Sequence, residues 1–203
     1  MNITKTIDAE ISTAVENPHY RVDVAALNLA RGLSHGDSLD TPANQFQLKL
    51  LTEAVADYSV ARGRLTREVV NPMKKEAGIK SDVSWALEFS TRVLTVTPVG
   101  PDREIITEDL TVDRDDITEV RELDTLINVY ANIIERVGDT FETRGEKAIE
   151  KFISKQAEIA KKYDAAKNMI YSKYVQPYLF ANGLEGEYTW VLDFETRKIT
   201  ITK

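Results

Sequence analysis

Two stretches decide the reading: Val83-Ser84-Trp85-Ala86-Leu87-Glu88-Phe89-Ser90-Thr91-Arg92-Val93-Leu94-Thr95-Val96-Thr97 and Tyr188-Thr189-Trp190-Val191-Leu192-Asp193-Phe194-Glu195-Thr196-Arg197-Lys198-Ile199-Thr200-Ile201-Thr202. In the first, Trp85, Leu87 and Phe89 alternate with Ser84, Ala86 and Glu88, the period of a strand with one buried face. Leu94 and Val96 resume the alternation after a break. The pattern predicts a β-hairpin with Phe89 opposite Leu94 and Leu87 opposite Val96, so that both apolar sets share one face. The second stretch predicts the same, with Phe194 opposite Ile199, Leu192 opposite Ile201 and Trp190 leading. Neither turn has Asn-Gly or a central glycine, which points to a four-residue connection rather than a tight primed turn.

The similarity extends upstream without a gap, laying Phe46–Pro98 over Lys151–Lys203. About thirteen of roughly fifty paired positions are identical, where chance gives about three. Among them are Tyr58/Tyr163, Val70/Val175, Pro72/Pro177, Gly78/Gly183, Trp85/Trp190 and Arg92/Arg197. Gly36–Thr41 matches Gly138–Thr143 after a small shift, and Ile3-Thr4 can be set against Ile106-Thr107. The expected organisation is a first repeat unit at 1–101, an acidic bridge at 102–116 and a second repeat unit at 117–203.

Within each unit the spacing predicts helices ahead of the hairpin. A short helix is expected over Thr6–Glu16, interrupted at Asn17-Pro18. A second is expected over Tyr20–Leu33, with Val24, Leu27 and Leu33 inward. Thr41 can cap a long helix with Pro42 at its first position. Phe46, Leu50, Ala54, Tyr58 and Ala61 mark its inner face, and Asn71-Pro72 stops or kinks it. A helical turn closed by Gly78 follows. Pro98-Val99-Gly100-Pro101 reads as a loop. In the second unit, helices are expected over Ile117–Val137 and Glu146–Val175. Asp116 and Glu119 form a candidate capping box.

The fold class is therefore α+β and predominantly helical: a tandem duplication of a unit of two helices plus a hairpin, with pseudo-twofold symmetry. A lone hairpin is marginal in water. The two hairpins are expected either to cover their own helices or, preferably, to join in one four-stranded antiparallel sheet.

Composition narrows the function classes. No cysteine is present, which removes disulfides and thiolate chemistry. No apolar run has membrane-spanning length and no secretory leader is read at the N-terminus, so a soluble, cytoplasmic protein without a membrane partner is expected. Asp102–Asp124 holds ten carboxylates against three arginines, which equals the whole net charge of −7. The chain lacks the basic surface that direct nucleic-acid binding needs.

Candidate site residues are few. His19 and His35 are expected in solvated loops, without the further ligands of a metal site. No catalytic or phosphate-binding motif is present, and no cofactor is expected. Thr91-Arg92 and Thr196-Arg197 recur at both hairpin tips as candidate partner-binding residues, where arginine suits carboxylates or phosphates. The competing reading pairs each arginine with a carboxylate of its own strand or helix. Glu88 and Asp193 also correspond, and could do acid–base work if they met in a cleft. Asp109, Asp113, Asp115 and Asp116 form a candidate acidic surface, against the plainer reading of a solvated linker whose last acids cap a helix.

The expected function is a non-enzymatic protein-interaction protein: an adaptor, assembly component or inhibitor, compatible with viral or mobile-element origin. It would grip a protein partner through duplicated surfaces, which gain avidity when linked. The alternatives are an acidic nucleic-acid mimic acting through 102–124, and an enzyme with a site at the junction of the repeats.

Overall fold

The computed structural model describes residues 2–34, 39–140 and 146–203. The elements from the N-terminus are β1 (Ile3–Thr6), α1 (Ala9–Ser34), α2 (Pro42–Leu65), a π-helical segment (Thr66–Val70), α3 (Asn71–Glu76), β2 (Ser81–Glu88) and β3 (Val93–Asp102). Then come β4 (Ile105–Thr111), α4 (Arg114–Thr140), α5 (Glu146–Ile170), a second π-helical segment (Tyr171–Val175), α6 (Gln176–Ala181), β5 (Thr189–Asp193) and β6 (Lys198–Thr202). The fold is α+β. Its strands form two antiparallel three-stranded sheets, ordered β1-β3-β2 and β4-β6-β5.

The hairpins therefore do not join into one four-stranded sheet. The free edge of β3 is taken by β1, with Ile3 opposite Val96 and Thr6 opposite Val93. The free edge of β6 is taken by β4, with Leu110 opposite Ile199. A third strand supplies what a lone hairpin lacks. The acidic bridge is correspondingly not a solvated linker: β3 runs to Asp102, β4 occupies Ile105–Thr111, and α4 begins at Arg114. Pro98 and Pro101 lie within β3 rather than in a loop. β1 pairs only with Val93–Val96, so the later part of β3 is partnered on one side, where proline's missing N–H is tolerated.

Both hairpins have four-residue connections, Phe89–Arg92 and Phe194–Arg197. Their registers differ by two residues from the expectation. Leu87 lies opposite Leu94 and Trp85 opposite Val96; Leu192 lies opposite Ile199 and Trp190 opposite Ile201. A two-residue shift keeps every side chain on its face. Leu94, Val96, Ile199 and Ile201 are fully buried, and Ser84, Ala86 and Glu88 are exposed.

The helices depart from expectation in three ways. First, α1 is continuous through Pro18. Pro18 has no N–H for the carbonyl of Ala14, but Ala14 is exposed, so water can serve that carbonyl. Second, the inner face of α1 is Val22, Ala25, Ala26, Leu29 and Ala30, while Val24 and Leu27 are exposed. On α2 the buried residues include Leu51, Ala54 and Val55, and Phe46 is 57% exposed. Third, α2 does not stop at Pro72; it passes into the π-helical segment. The N–H of Asn71 bonds the carbonyl of Thr66, five residues back, and that of Gln176 bonds Tyr171 likewise. Pro72 and Pro177 cannot donate, and their rings crowd the carbonyl four residues earlier. A wider turn just before each proline relieves that crowding.

Other signals hold. Thr41 caps α2 through Oγ1, which accepts the N–H of Asn44 at 3.3 Å. Gly78 and Gly183 close α3 and α6 with φ of 67° and 62°. The i→i−5 bonds Ile79 N–H to Lys74 and Leu184 N–H to Leu179 complete the helix ends. Helix α4 starts earlier than the capping-box reading, with the carbonyl of Asp113 accepting the N–H of Ile117.

The chain packs as two compact units. One comprises Met1–Asn17, Val60–Ile117 and Ile170–Lys203; the other comprises Pro18–Ser59 and Thr118–Met169. The first holds both sheets and both π-helical segments. Its buried residues include Ile7, Val15, Leu65, Val70, Leu94, Val96, Val112, Val175, Ile199 and Ile201. The second is helical, around Val22, Ala26, Leu29, Leu51, Ala54, Val55, Val129, Ile133 and Phe152. Burying a Leu or Ile contributes about 1.5–3 kcal/mol, and Leu29→Ala would cost about 2–5 kcal/mol. Gly36–Ser38, Phe141–Thr143 and His35 lie outside the described residues. Among the described residues no helix is long and apolar enough to cross a membrane.

Candidate functional site

The two hairpin tips are built alike. In the first, Glu88 ends β2 and accepts the Thr91 hydroxyl at 2.7 Å. In the second, Asp193 ends β5 and accepts the N–H groups of Glu195 and Thr196 at 2.8 and 3.0 Å. Each carboxylate braces its own turn. Burial by itself would raise the Asp193 carboxyl, but the Thr196 and Glu195 N–H groups and Arg67 outweigh it and hold the group below its ordinary range. Arg67, in the first π-helical segment, reaches Asp193 at 3.2 Å.

The last residue of each turn is the arginine. Arg92 and Arg197 have φ of 57° and 59°, the left-handed region in which an L side chain costs about 1–2 kcal/mol. Both are exposed. Their carbonyls accept the N–H groups of Ile7 and Val112, the residues that follow β1 and β4. Among the described residues neither guanidinium makes a hydrogen bond or ion pair. Neither arginine is therefore paired, among the described residues, with a carboxylate of its own strand or helix. The backbones are fastened, and both cations face solvent.

Trp85 is half-buried. Its Nε1–H donates to Thr66 Oγ1 at 3.2 Å, and the Arg62 guanidinium lies 4.8 Å from its ring centre. The sequence could not show these contacts, because they depend on how the end of α2 and its π-helical continuation lie against β2.

The candidate acidic surface divides. Asp109 pairs with Lys198 at 2.9 Å, and the bond and charge of that lysine hold its carboxyl below the ordinary range. Asp116 is held low by Lys173 at 2.5 Å and by the Tyr174 hydroxyl. Tyr174 also accepts the N–H of Asp113, and Asp113 lies 3.6 Å from Lys173. Asp115 is exposed in the first turn of α4. Asp124 is half-buried; burial pushes its carboxyl up, against the Tyr163 hydroxyl and Lys167. Tyr163 is in turn pushed up to about 12 by burial and by Asp124. Asp109, Asp113, Asp116 and Asp124 thus have partners within the fold, while Asp115 is exposed.

His19 lies within α1 rather than in a loop, 3.6 Å from Asp23, with its ring centre 5.2 Å from that of Tyr58 and tilted to it. A cleft in the sheet-bearing unit is lined by none of Glu88, Asp193, Arg92 or Arg197. No protein-family model, curated protein or solved structure matches the chain.

Proposed function

We propose that the chain is one plan written twice, and that it acts as a non-enzymatic interaction protein engaging an acidic protein surface through its two hairpin tips. Support for the duplication comes from the order strand, two long helices, π-helical segment, short helix and hairpin, which runs from Ile3 to Asp102 and again from Ile105 to Thr202. The interaction reading is carried by one observation. Each turn ends in a left-handed residue, where glycine or asparagine is the easy choice, and each has an exposed arginine there whose guanidinium has no partner among the described residues. A partner's carboxylate can take it in a two-pronged, charge-assisted contact, and two linked contacts reinforce each other.

The test is the double variant Arg92→Gly/Arg197→Gly, which keeps the backbone geometry and removes both cations. Native protein should retain partners from host extract that the variant, folded by its thermal melt, does not. The same set of partners recovered by both proteins would overturn the proposal.

A further inference from the structure

The sheet-bearing unit has a second feature, separate from the hairpin tips. A cleft of about 290 Å³ lies between the start of α1 and the end of α2 with its π-helical continuation. Its floor is apolar: Ile11 and Val15 from α1 face Leu65 from α2, and Val15 and Leu65 are each only 2% exposed. Two alanines, Ala14 and Ala61, leave the space that larger side chains would fill. The rim is charged, with Asp8, Glu10, Arg64 and Glu68.

The rim charges are not equivalent. Arg64 Nε donates to Glu68 at 2.9 Å, so these two neutralise each other. The carboxylates of Asp8 and Glu10 have no hydrogen bond or ion pair among the described residues. They belong to no group of three or more metal-ligating side chains among the described residues, so the pair suits two ammonium groups better than one metal ion. The apolar floor beneath suits a hydrocarbon body between them. At about 30 Å³ per water-sized group, the cleft has room for roughly nine or ten such groups, which accommodates a five-carbon chain with an ammonium at each end.

We propose that this cleft binds an aliphatic diamine, with its ammonium groups at Asp8 and Glu10 and its methylene chain over Ile11, Val15 and Leu65. The proposal does not depend on the hairpin arginines, and neither variant below touches them.

Calorimetric titration of the full chain with 1,5-diaminopentane tests it, with pentylamine and 1,5-pentanediol as comparators. The diamine should bind saturably at one site, about two- to five-fold tighter than pentylamine, since the second carboxylate contributes a second, solvent-exposed ion pair. The diol should give no binding. Asp8→Asn/Glu10→Gln should weaken the diamine about ten-fold, with a nearly unchanged melt, because neither carboxylate makes a hydrogen bond or ion pair among the described residues. Ala61→Leu, which fills the cleft, should abolish binding; if that variant fails to fold, the double variant decides. Absence of saturable heat, equal affinity for the monoamine, or undiminished binding by the double variant would each overturn the assignment. So would binding of a lysine-rich peptide without binding of the free diamine, which would make the occupant a protein.

Discussion

The carbonyl of Arg92 accepts the N–H of Ile7 at 3.0 Å, and the carbonyl of Arg197 accepts that of Val112 at 2.8 Å. These bonds tie each hairpin turn to the residue that follows the third strand of its sheet. They use the arginine backbone alone, and they require the left-handed φ that both residues show. Arg92→Gly should therefore leave stability unchanged or raise it by up to about 1 kcal/mol, since relief of the strain offsets glycine's greater entropy in the unfolded chain. Arg92→Val should lower stability by more than about 1 kcal/mol, because a β-branched residue is least at home there. Denaturant midpoints of the two variants check this, and a glycine variant less stable than the valine one would refute it.

Two helical glycines should respond oppositely to alanine. In an exposed helix interior, alanine is worth about 1 kcal/mol over glycine. At Gly63 an added Cβ would lie 3.4 Å from Nη1 of Arg67, the far end of a long side chain, so Gly63→Ala should gain much of that amount. At Gly32 the added Cβ would lie 2.2 Å from Oδ1 of Asn44, whose short side chain is itself buried. Gly32→Ala should therefore lose stability, by about 1–3 kcal/mol. The two losses in Gly32→Ala and Asn44→Ala should not add in the double variant, because the clash disappears with the amide. Equilibrium unfolding of the four variants gives the coupling directly.

The strands were legible in the sequence because alternation reports faces, and a face survives a register slip of two. The register itself was misread, because Phe89 and Phe194 look like strand residues yet begin the turns. The inner face of α1 was hidden because Val24 and Leu27 are more apolar than Ala25, Ala26 and Ala30, which let the neighbouring helices approach. Strand β1 is only four residues long, and β4 carries the charges expected of an edge strand, so neither stood out from its surroundings. Of the site, the recurrence of Thr-Arg at both tips was visible. The left-handed arginine backbones were not, since that conformation is ordinarily announced by glycine or asparagine. Thr66 and Arg67 were invisible as Trp85 and Asp193 contacts, because helical periodicity fails across a π-helical segment; Arg62, still within α2, was invisible because nothing in the helix pattern says which strand it packs on.

That segment can be tested at Trp85. Thr66→Val removes the acceptor of the indole N–H while nearly preserving shape. It should cost about 1 kcal/mol, the usual net value of such a bond, and shift one of the two indole N–H resonances. Thr66→Ser keeps an acceptor and should cost less. An unmoved indole resonance in the valine variant would mean that Thr66 does not hold Trp85.

The pH dependence of stability should contain two opposed carboxylate contributions. Asp193 is held below the ordinary 3.8 in the folded chain, with burial overcome by the turn N–H groups and Arg67. Its contribution is therefore complete above pH 3.8 and is lost as pH falls through the folded value. Asp193→Asn should be less stable than the native chain at pH 7, and the gap should narrow steadily below about pH 4. Asp124 has the opposite sign. Burial raises its folded value above 3.8 despite Tyr163 and Lys167, so its contribution is complete below 3.8 and is lost as pH rises through the raised value. Asp124→Asn should then lack that decline, and its stability relative to the native chain should improve on going from pH 3 to pH 7. Denaturant midpoints across that range separate the two. Parallel profiles for Asp193→Asn and the native chain below pH 4 would show that the turn does not hold Asp193 ionised.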